Sequence, residues 1–263
     1  MGFFSLLGVF LLFLCSLSMA CDRCVHTSSA AYYSSASVLS VGACGYGPLA
    51  LDFNGGYVGA ANSSLFRQGI GCGGCFQIRC KNPRLCSSRG VKVVLTDNNS
   101  NKETGWVLSN KAFMAMSRPG MGLELKKLGI VDIEFKRIPC DYANRNLSVR
   151  VEESSQYPHY LAVKFLFQGG QTDIMGVDIA ELGSPNWTFM TRNHGAVWEA
   201  NRVPYGPLQF RFVVTGGYDG KWIWAKQSVL PANWRPGSVY DSGVQIHDIA
   251  QEGCPQCDDS NWK

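Results

Sequence analysis

The chain has 263 residues, 46% of them hydrophobic and only 17% charged, with 24 Lys and Arg against 20 Asp and Glu. That apolar content can bury a core, which excludes a disordered or collagen-like chain. The formal charge of +4 has Lys126-Lys127 as its densest cluster, so a nucleic-acid partner, which needs a basic stripe, is not expected.

Residues 3–17 are almost wholly apolar and lead into Ser18-Met19-Ala20, small at the two positions a signal peptidase reads. The run is shorter than the roughly 20 residues of a membrane span. Residues 1–20 are therefore expected to be a cleaved secretory signal, with an N-terminal anchor as the alternative. Cleavage would leave an extracellular protein, soluble and with no membrane attachment, that starts at Cys21.

Further along, 29 glycines and few charges suggest short strands joined by turns. Residues 91–95 read as a buried strand ending in Thr96-Asp97. Ser109 reads as the N-cap of one short helix through Ala112 and Met116, and residues 130–135 read as another buried strand. A polar stretch at 140–146 marks a boundary. Beyond it the pattern alternates with period two: Leu147, Val149 and Val151, then Leu161, Val163, Phe165 and Phe167 before a turn at Gly169-Gly170. Residues 208–214 lead through a glycine-rich turn at 216–220 into Trp222-Ile223-Trp224. This spacing suggests an antiparallel sandwich.

Of eleven cysteines, Cys15 lies in the signal. In the cytosol Cys72-x-x-Cys75 with Cys80 and Cys86 would suggest zinc. In a secreted chain, structural bridges are expected instead, with no metal and no cofactor. Cys44, Cys72, Cys75, Cys80, Cys86 and Cys140 are the disulfide candidates of the first half. The CxxC pairs Cys21/Cys24 and Cys254/Cys257 are candidates to tie the termini together, although spacing does not fix connectivity. A cysteine-rich half and a cysteine-free half divide the chain into 21–142 and 143–251, followed by a tail at 252–263 that carries the last CxxC. Sequons at Asn62, Asn98, Asn146 and Asn186 are candidate glycosylation sites.

Few catalytic options survive. No Gly-x-Ser-x-Gly elbow is present, the histidines are scattered, and the glycine-rich run 69–74 is laced with cysteine. Carboxylates remain, and Asp97 stands at a strand end, either as a functional group or as an Asx-turn cap over the next residues.

Cys44-Gly45-Tyr46-Gly47, Gly71-Cys72-Gly73-Gly74-Cys75-Phe76-Gln77-Ile78-Arg79-Cys80, Thr96-Asp97 and Arg137-Ile138-Pro139-Cys140 resemble landmarks of the expansin family. Tyr160-Leu161-Ala162-Val163 and His194-Gly195-Ala196-Val197-Trp198 continue the match in family order. The terminal CxxC pairs and the glycine-rich turn resemble the expansin-like A branch. The resemblance implies an all-β chain: a six-stranded double-psi β-barrel, similar to family 45 glycosidases and barwin, followed by a β-sandwich carbohydrate-binding module. It further implies a secreted plant cell-wall protein, expected to be a monomer, that binds cellulose, xyloglucan or a related matrix glycan and loosens the wall without cutting bonds.

The departures from the family pattern bear on mechanism. Ala31-Tyr32-Tyr33 keeps the barrel tyrosine but loses a threonine, and the acid before the Ala-Cys-Gly motif is missing near Leu39. The His-Phe-Asp motif, whose Asp is the general-acid counterpart in the glycosidases, aligns with Gly105-Trp106-Val107. No catalytic residue is therefore expected, with Glu103 as the one nearby substitute acid. Tyr33, Asp97, Tyr160, His194 and Trp187 are the expected polysaccharide-binding residues, His194 standing where the family has a platform tryptophan. Trp187, Trp198, Trp222 and Trp224 could add aromatic surface, although each taken alone is expected in the core, with the Asn186 sequon favouring a place near the surface for Trp187. The alternatives are a residual hydrolase using Asp97 and a barwin-type defence or recognition protein.

Overall fold

The computed structural model describes residues 24–33, 42–215, 220–225, 228–249, 257 and 262. The expected signal, Cys21, Leu39, residues 216–219 and Cys254 lie outside the described residues. In the first half the strands are β1 (His26–Tyr32), β2 (Val58–Ala61), β3 (Cys75–Cys80), β4 (Val91–Asn98), β5 (Trp106–Leu108) and β6 (Val131–Ile138). They close a barrel in the order β1-β5-β2-β4-β3-β6. β1 pairs with β5, and β2 with β4, in parallel, whereas the other neighbours are antiparallel.

Alternation along the strands sorts the barrel into inside and outside. Trp106 and Leu108 are fully buried on either side of Val107, which faces outward. Trp106 meets Phe76 and Phe135 edge-on, with ring centroids 5.1 and 5.6 Å apart, the geometry aromatic quadrupoles favour. Three short helices, α1 (Ser63–Phe66), α2 (Asn110–Ala115) and α3 (Gly122–Lys127), lie outside the strands. The expected Ser109 cap is present: its Oγ accepts from the Ala112 N–H at 3.1 Å and donates to the Gly56 carbonyl at 2.8 Å.

The second half supplies β7 (Ser148–Val151), β8 (Leu161–Leu166), β9 (Asp173–Glu181), β10 (Thr188–His194), β11 (Val197–Ala200), β12 (Leu208–Thr215), β13 (Gly220–Trp224) and β14 (Val239–Asp241). They form one ribbon in the order β13-β12-β9-β10-β11-β8-β7-β14. The first part of β10 pairs with β9 and the last part with β11, so the ribbon folds over on that strand. Two layers then share one core, in which Phe165 of β8 meets Phe212 of β12 at 5.0 Å.

All six disulfide candidates of the first half are bonded, as Cys44–Cys72, Cys75–Cys140 and Cys80–Cys86. Cys24–Cys257 joins the two ends of the chain.

The halves pack tightly against each other. The alternating pattern at 161–166 suggests one wet face, yet every residue of β8 is buried, because the barrel covers the second face. Leu166 and Ala196 of the sandwich share a cluster with Cys44, Tyr46, Phe53 and Val94 of the barrel. Buried Lys164 on that face donates to the Gly45 carbonyl and pairs with Glu152 at 3.1 Å. Gly69 and Gly195, both at positive φ, meet where the halves touch, and a Cβ on Gly69 would lie 2.3 Å from the Gly195 carbonyl oxygen. Asp173 receives Arg137 at 2.7 Å and Arg67 at 2.9 Å from the barrel side.

Candidate functional site

Asp97 lies near the end of β4 with its carboxylate on the outer side of the barrel wall. Its Oδ1 accepts from the backbone N–H groups of Ala43 (2.6 Å) and Asn98 (2.7 Å), and its Oδ2 accepts from the Tyr33 hydroxyl at 3.2 Å. An Asx-turn would need the Asn99 N–H, but that group donates to the Ala61 carbonyl instead. Burial, then the charge of Asp97, pushes the Tyr33 phenol well above its ordinary value, so it remains a donor.

The register shows what stands across from Asp97. Ala60 of β2 pairs with Asp97 on one side and with Val107 of β5 on the other, and Val107 pairs in turn with Ala31. Paired residues share a face, so Asp97 and Val107 lie on one face two strands apart, about 10 Å between backbones at ~4.8 Å per strand. Glu103 does not fill this gap. It is exposed in an open polar cleft of about 650 Å³ lined by Asn62, Asn99, Asn101 and Asp132, which includes neither Asp97 nor Tyr33.

The sandwich side of the site is a polar relay. The Tyr160 hydroxyl donates to Glu199 Oε2 at 2.8 Å, and Asn193 Nδ2 donates to the same oxygen. That leaves Asn193 Oδ1 as an acceptor, 2.9 Å from His194 Nδ1, so Nδ1 is the nitrogen that donates to it. Partial burial, reinforced by Glu199, raises the Tyr160 phenol above its usual value. Glu199 faces outward because its neighbours Trp198 and Ala200 on β11 point into the core. His194 reaches the barrel: its Nε2 would sit 3.1 Å from a Cβ on Gly45. Ala43, two residues before Gly45, holds Asp97, and the Ala196 N–H donates to the Cys44 carbonyl at 3.0 Å. Tyr33, Asp97, the 42–46 loop, His194, Asn193, Glu199 and Tyr160 are thus linked in sequence by contacts across both halves.

Trp187 lies elsewhere, on the outer face of the other layer, edge-on to Trp224 at 5.2 Å and under the Arg211 guanidinium at 4.4 Å. Trp198 is in the core, as expected. Trp222 and Trp224 overturn that expectation: they are 45% and 53% exposed, because edge strand β13 turns Ile223 inward and its two tryptophans outward. Sequence reasoning also missed Glu199 and Asn193, since a polar residue on the outer face of a strand carries no local signal. Of the four sequon asparagines, Asn186 is exposed and the other three are half-buried. Among the described residues no three His, Cys, Asp or Glu side chains gather to hold a metal ion.

A sequence profile described as Expansin C-terminal domain matches residues 147–231, and a double-psi barrel profile described as Lytic transglycolase matches residues 58–135. Expansin-like A2 of Arabidopsis thaliana is 59% identical over 99% of this chain and 98% of its own length. The chain belongs to the expansin family, in its expansin-like A branch. Expansin-like A1 of Arabidopsis thaliana is 57% identical over the full length of both chains. Expansin-like A3 of Oryza sativa subsp. japonica is 51% identical over 93% of this chain and 90% of its own. Among solved structures, apo Clavibacter michiganensis expansin superposes with a TM-score of 0.64 at 21% identity, covering 86% of this chain and 99% of its own. A mutant of that protein in complex with cellohexaose gives 0.63 at 20% identity, covering 88% and 99%. At these identities the two structures establish the likeness of fold.

Proposed function

We propose that this protein is a secreted, monomeric, non-hydrolytic cell-wall protein that binds neutral wall polysaccharide along Tyr33, Asp97, His194 and Tyr160 and loosens the contacts between wall glycans. In this reading residues 1–20 are removed, 21–142 form the barrel domain, 143–251 the binding module and 252–263 the tail. The observation that carries it is a fully hydrogen-bonded Asp97 with Val107, not a carboxylate, on the same face two strands away. Hydrolysis of a glycosidic bond uses two carboxyl groups about 5–5.5 Å apart for retention or 6.5–9.5 Å apart for inversion. Val107, two strands away, is where an outward carboxylate could approach the inverting separation, and its isopropyl group transfers no proton. Asp97 meanwhile accepts three hydrogen bonds, none from an acid. This argues against the lytic activity named in the barrel profile's description. The complex of the structural relative with cellohexaose supports a β-glucan as ligand class.

The test is a pull-down of the mature protein on cellulose, xyloglucan, pectin and chitin beside a Tyr160→Ala variant, with reducing-sugar release and wall extension measured on the same samples. Binding to wall glycan that weakens in the variant, extension, and no sugar release are expected. Sugar release abolished by Asp97→Asn would establish the hydrolase instead, and failure to bind any plant glycan would overturn the reading.

A further inference from the structure

The outer face of the β9/β12/β13 layer carries an aromatic cluster that the site above leaves unused. Trp224 of β13, Arg211 of β12, Asp178 of β9 and Phe189 of β10 lie in one register line across four strands. Their sequence neighbours Phe210, Phe212, Val177, Ile179 and Met190 point into the core, so this line faces outward. Trp222 and Trp224 are 45% and 53% exposed and Phe189 is 64% exposed. A soluble domain leaves a contiguous aromatic patch in water mainly where something binds it.

Arg211 organises the patch. Its guanidinium carbon lies 4.4, 4.3 and 5.2 Å from the ring centres of Trp187, Trp222 and Trp224. Its Nε and Nη2 both hold Asp178 Oδ2, at 2.8 and 2.7 Å. Two consequences bear on the occupant. The cation's charge is cancelled by Asp178, so the patch has no net charge to offer an anionic lipid or an acidic peptide. The cation–π contacts also fix the rings before any ligand arrives, which lowers the ordering cost of binding. The indoles are inclined, Trp222 to Trp224 by 44° and Trp187 to Trp224 by 85°. A flat crystal surface or a bilayer would touch one ring at a time, whereas a single twisted sugar chain presents C–H faces at changing angles.

We propose that Trp187, Trp222, Trp224 and Phe189 form a second glycan-binding surface, for a single neutral β-linked polysaccharide chain. This takes its ligand class from the proposed function and adds a site. The surface lies on the opposite layer of the sandwich from Tyr160 and Glu199, so one chain cannot stack on both, and one molecule holds two chains.

The test titrates cellohexaose and a xyloglucan oligosaccharide into the mature protein by calorimetry, beside the paired substitution W222A with W224A, the single substitution F189A as a milder probe, and Y160A. Thermal melts check that each variant folds. Two chains per wild-type molecule are expected, falling to one in the tryptophan pair and to one in Y160A, with weakened second-site binding in F189A. Wild type should also flocculate cellulose particles, and either single-site variant should bind them without linking them. One chain per wild-type molecule that is lost in Y160A and untouched in the tryptophan pair overturns this inference and leaves the proposed function standing. No binding by wild type overturns both. A second site that emerges only after enzymatic removal of N-glycans would assign the patch to the protein's own Asn186 sugar and overturn the inference.

Discussion

Replacing Asp173 with alanine tests whether the two halves act as one body. Asp173 opens β9 at the junction, with its side chain 8% exposed, and Arg137 at the end of β6 is 5% exposed. Arg137 reaches the carboxylate through both terminal nitrogens, at 2.7 and 3.3 Å, and also donates to the Thr172 carbonyl at 3.2 Å. The alanine variant takes the Asp173 carboxylate away from a buried guanidinium, and breaking a buried ion pair costs about 3–5 kcal/mol. At ~2–4 °C per kcal/mol for a chain of this size, the melting temperature should fall by about 6–20 °C. Arg67 reaches the same carboxylate from a position 36% exposed, so Arg67→Ala should cost about 1 kcal/mol or less. Scanning calorimetry measures both, and a split of one transition into two in Asp173→Ala would show the halves uncoupling. A shift below ~2 °C in Asp173→Ala, with a single transition, would refute the claim that this ion pair locks the junction.

The same group sets an acid limit. Burial works to raise the Asp173 pKa, but Arg137 and then Arg67 more than offset it, so the folded value lies below the ordinary 3.8. A depressed pKa contributes stability that is fully present above 3.8 and lost as pH falls through the folded value. Wild-type stability should therefore drop in urea titrations run below that pH, and Asp173→Asn should flatten the dependence. Tyr33→Phe removes the donor to Asp97 Oδ2 and should cost about 1 kcal/mol with weakened glycan binding, read by melts and pull-down. Ser109→Ala strips the cap of α2 and leaves the Gly56 carbonyl without its donor, which should cost about 1–2 kcal/mol in a urea melt.

Legibility followed the length and apolar content of each element. The strands expected at 91–95 and 130–135 are β4 and β6, each rich in Val, Ile or Phe; β4 runs on to Asn98, while β6 spans Val131–Ile138 and leaves Ile130 exposed outside it. β1, with the sequence HTSSAAY, and three-residue β5 offer too little periodicity to be found. The barrel was visible only through the cysteine and glycine landmarks of the family. In the candidate site, Asp97 was legible at its strand end and Tyr33 through the family's barrel tyrosine, and the two do meet. The Glu199–Asn193 relay that orients Tyr160 and His194 depends on which strands become neighbours, and no local pattern encodes that. Trp-Ile-Trp at 222–224 was ambiguous for a related reason: alternation says that the two tryptophans share a face, and only the place of β13 at the sheet edge says which one.

The contacts of Asp97 give it a structural role that needs no second acid. Oδ1 holds the Ala43 and Asn98 N–H groups, and the loop fixed through Ala43 carries Cys44, which is bonded to Cys72, and Gly45, which packs against His194. Asp97 thereby anchors the segment that joins the barrel side of the site to the sandwich side. An asparagine keeps an acceptor oxygen for both N–H groups, and the Tyr33 hydroxyl can turn to accept from its amide. An alanine keeps neither, at a cost of about 2 kcal/mol once solvent relieves the exposed Ala43 N–H. The anchoring role predicts that Asp97→Asn retains most of the glycan affinity, while Asp97→Ala loses affinity and lowers the melting temperature together. An acid or nucleophile would make the two variants equally inactive. Equal loss of function in both, with asparagine as stable as wild type, would return Asp97 to chemistry and remove it from architecture.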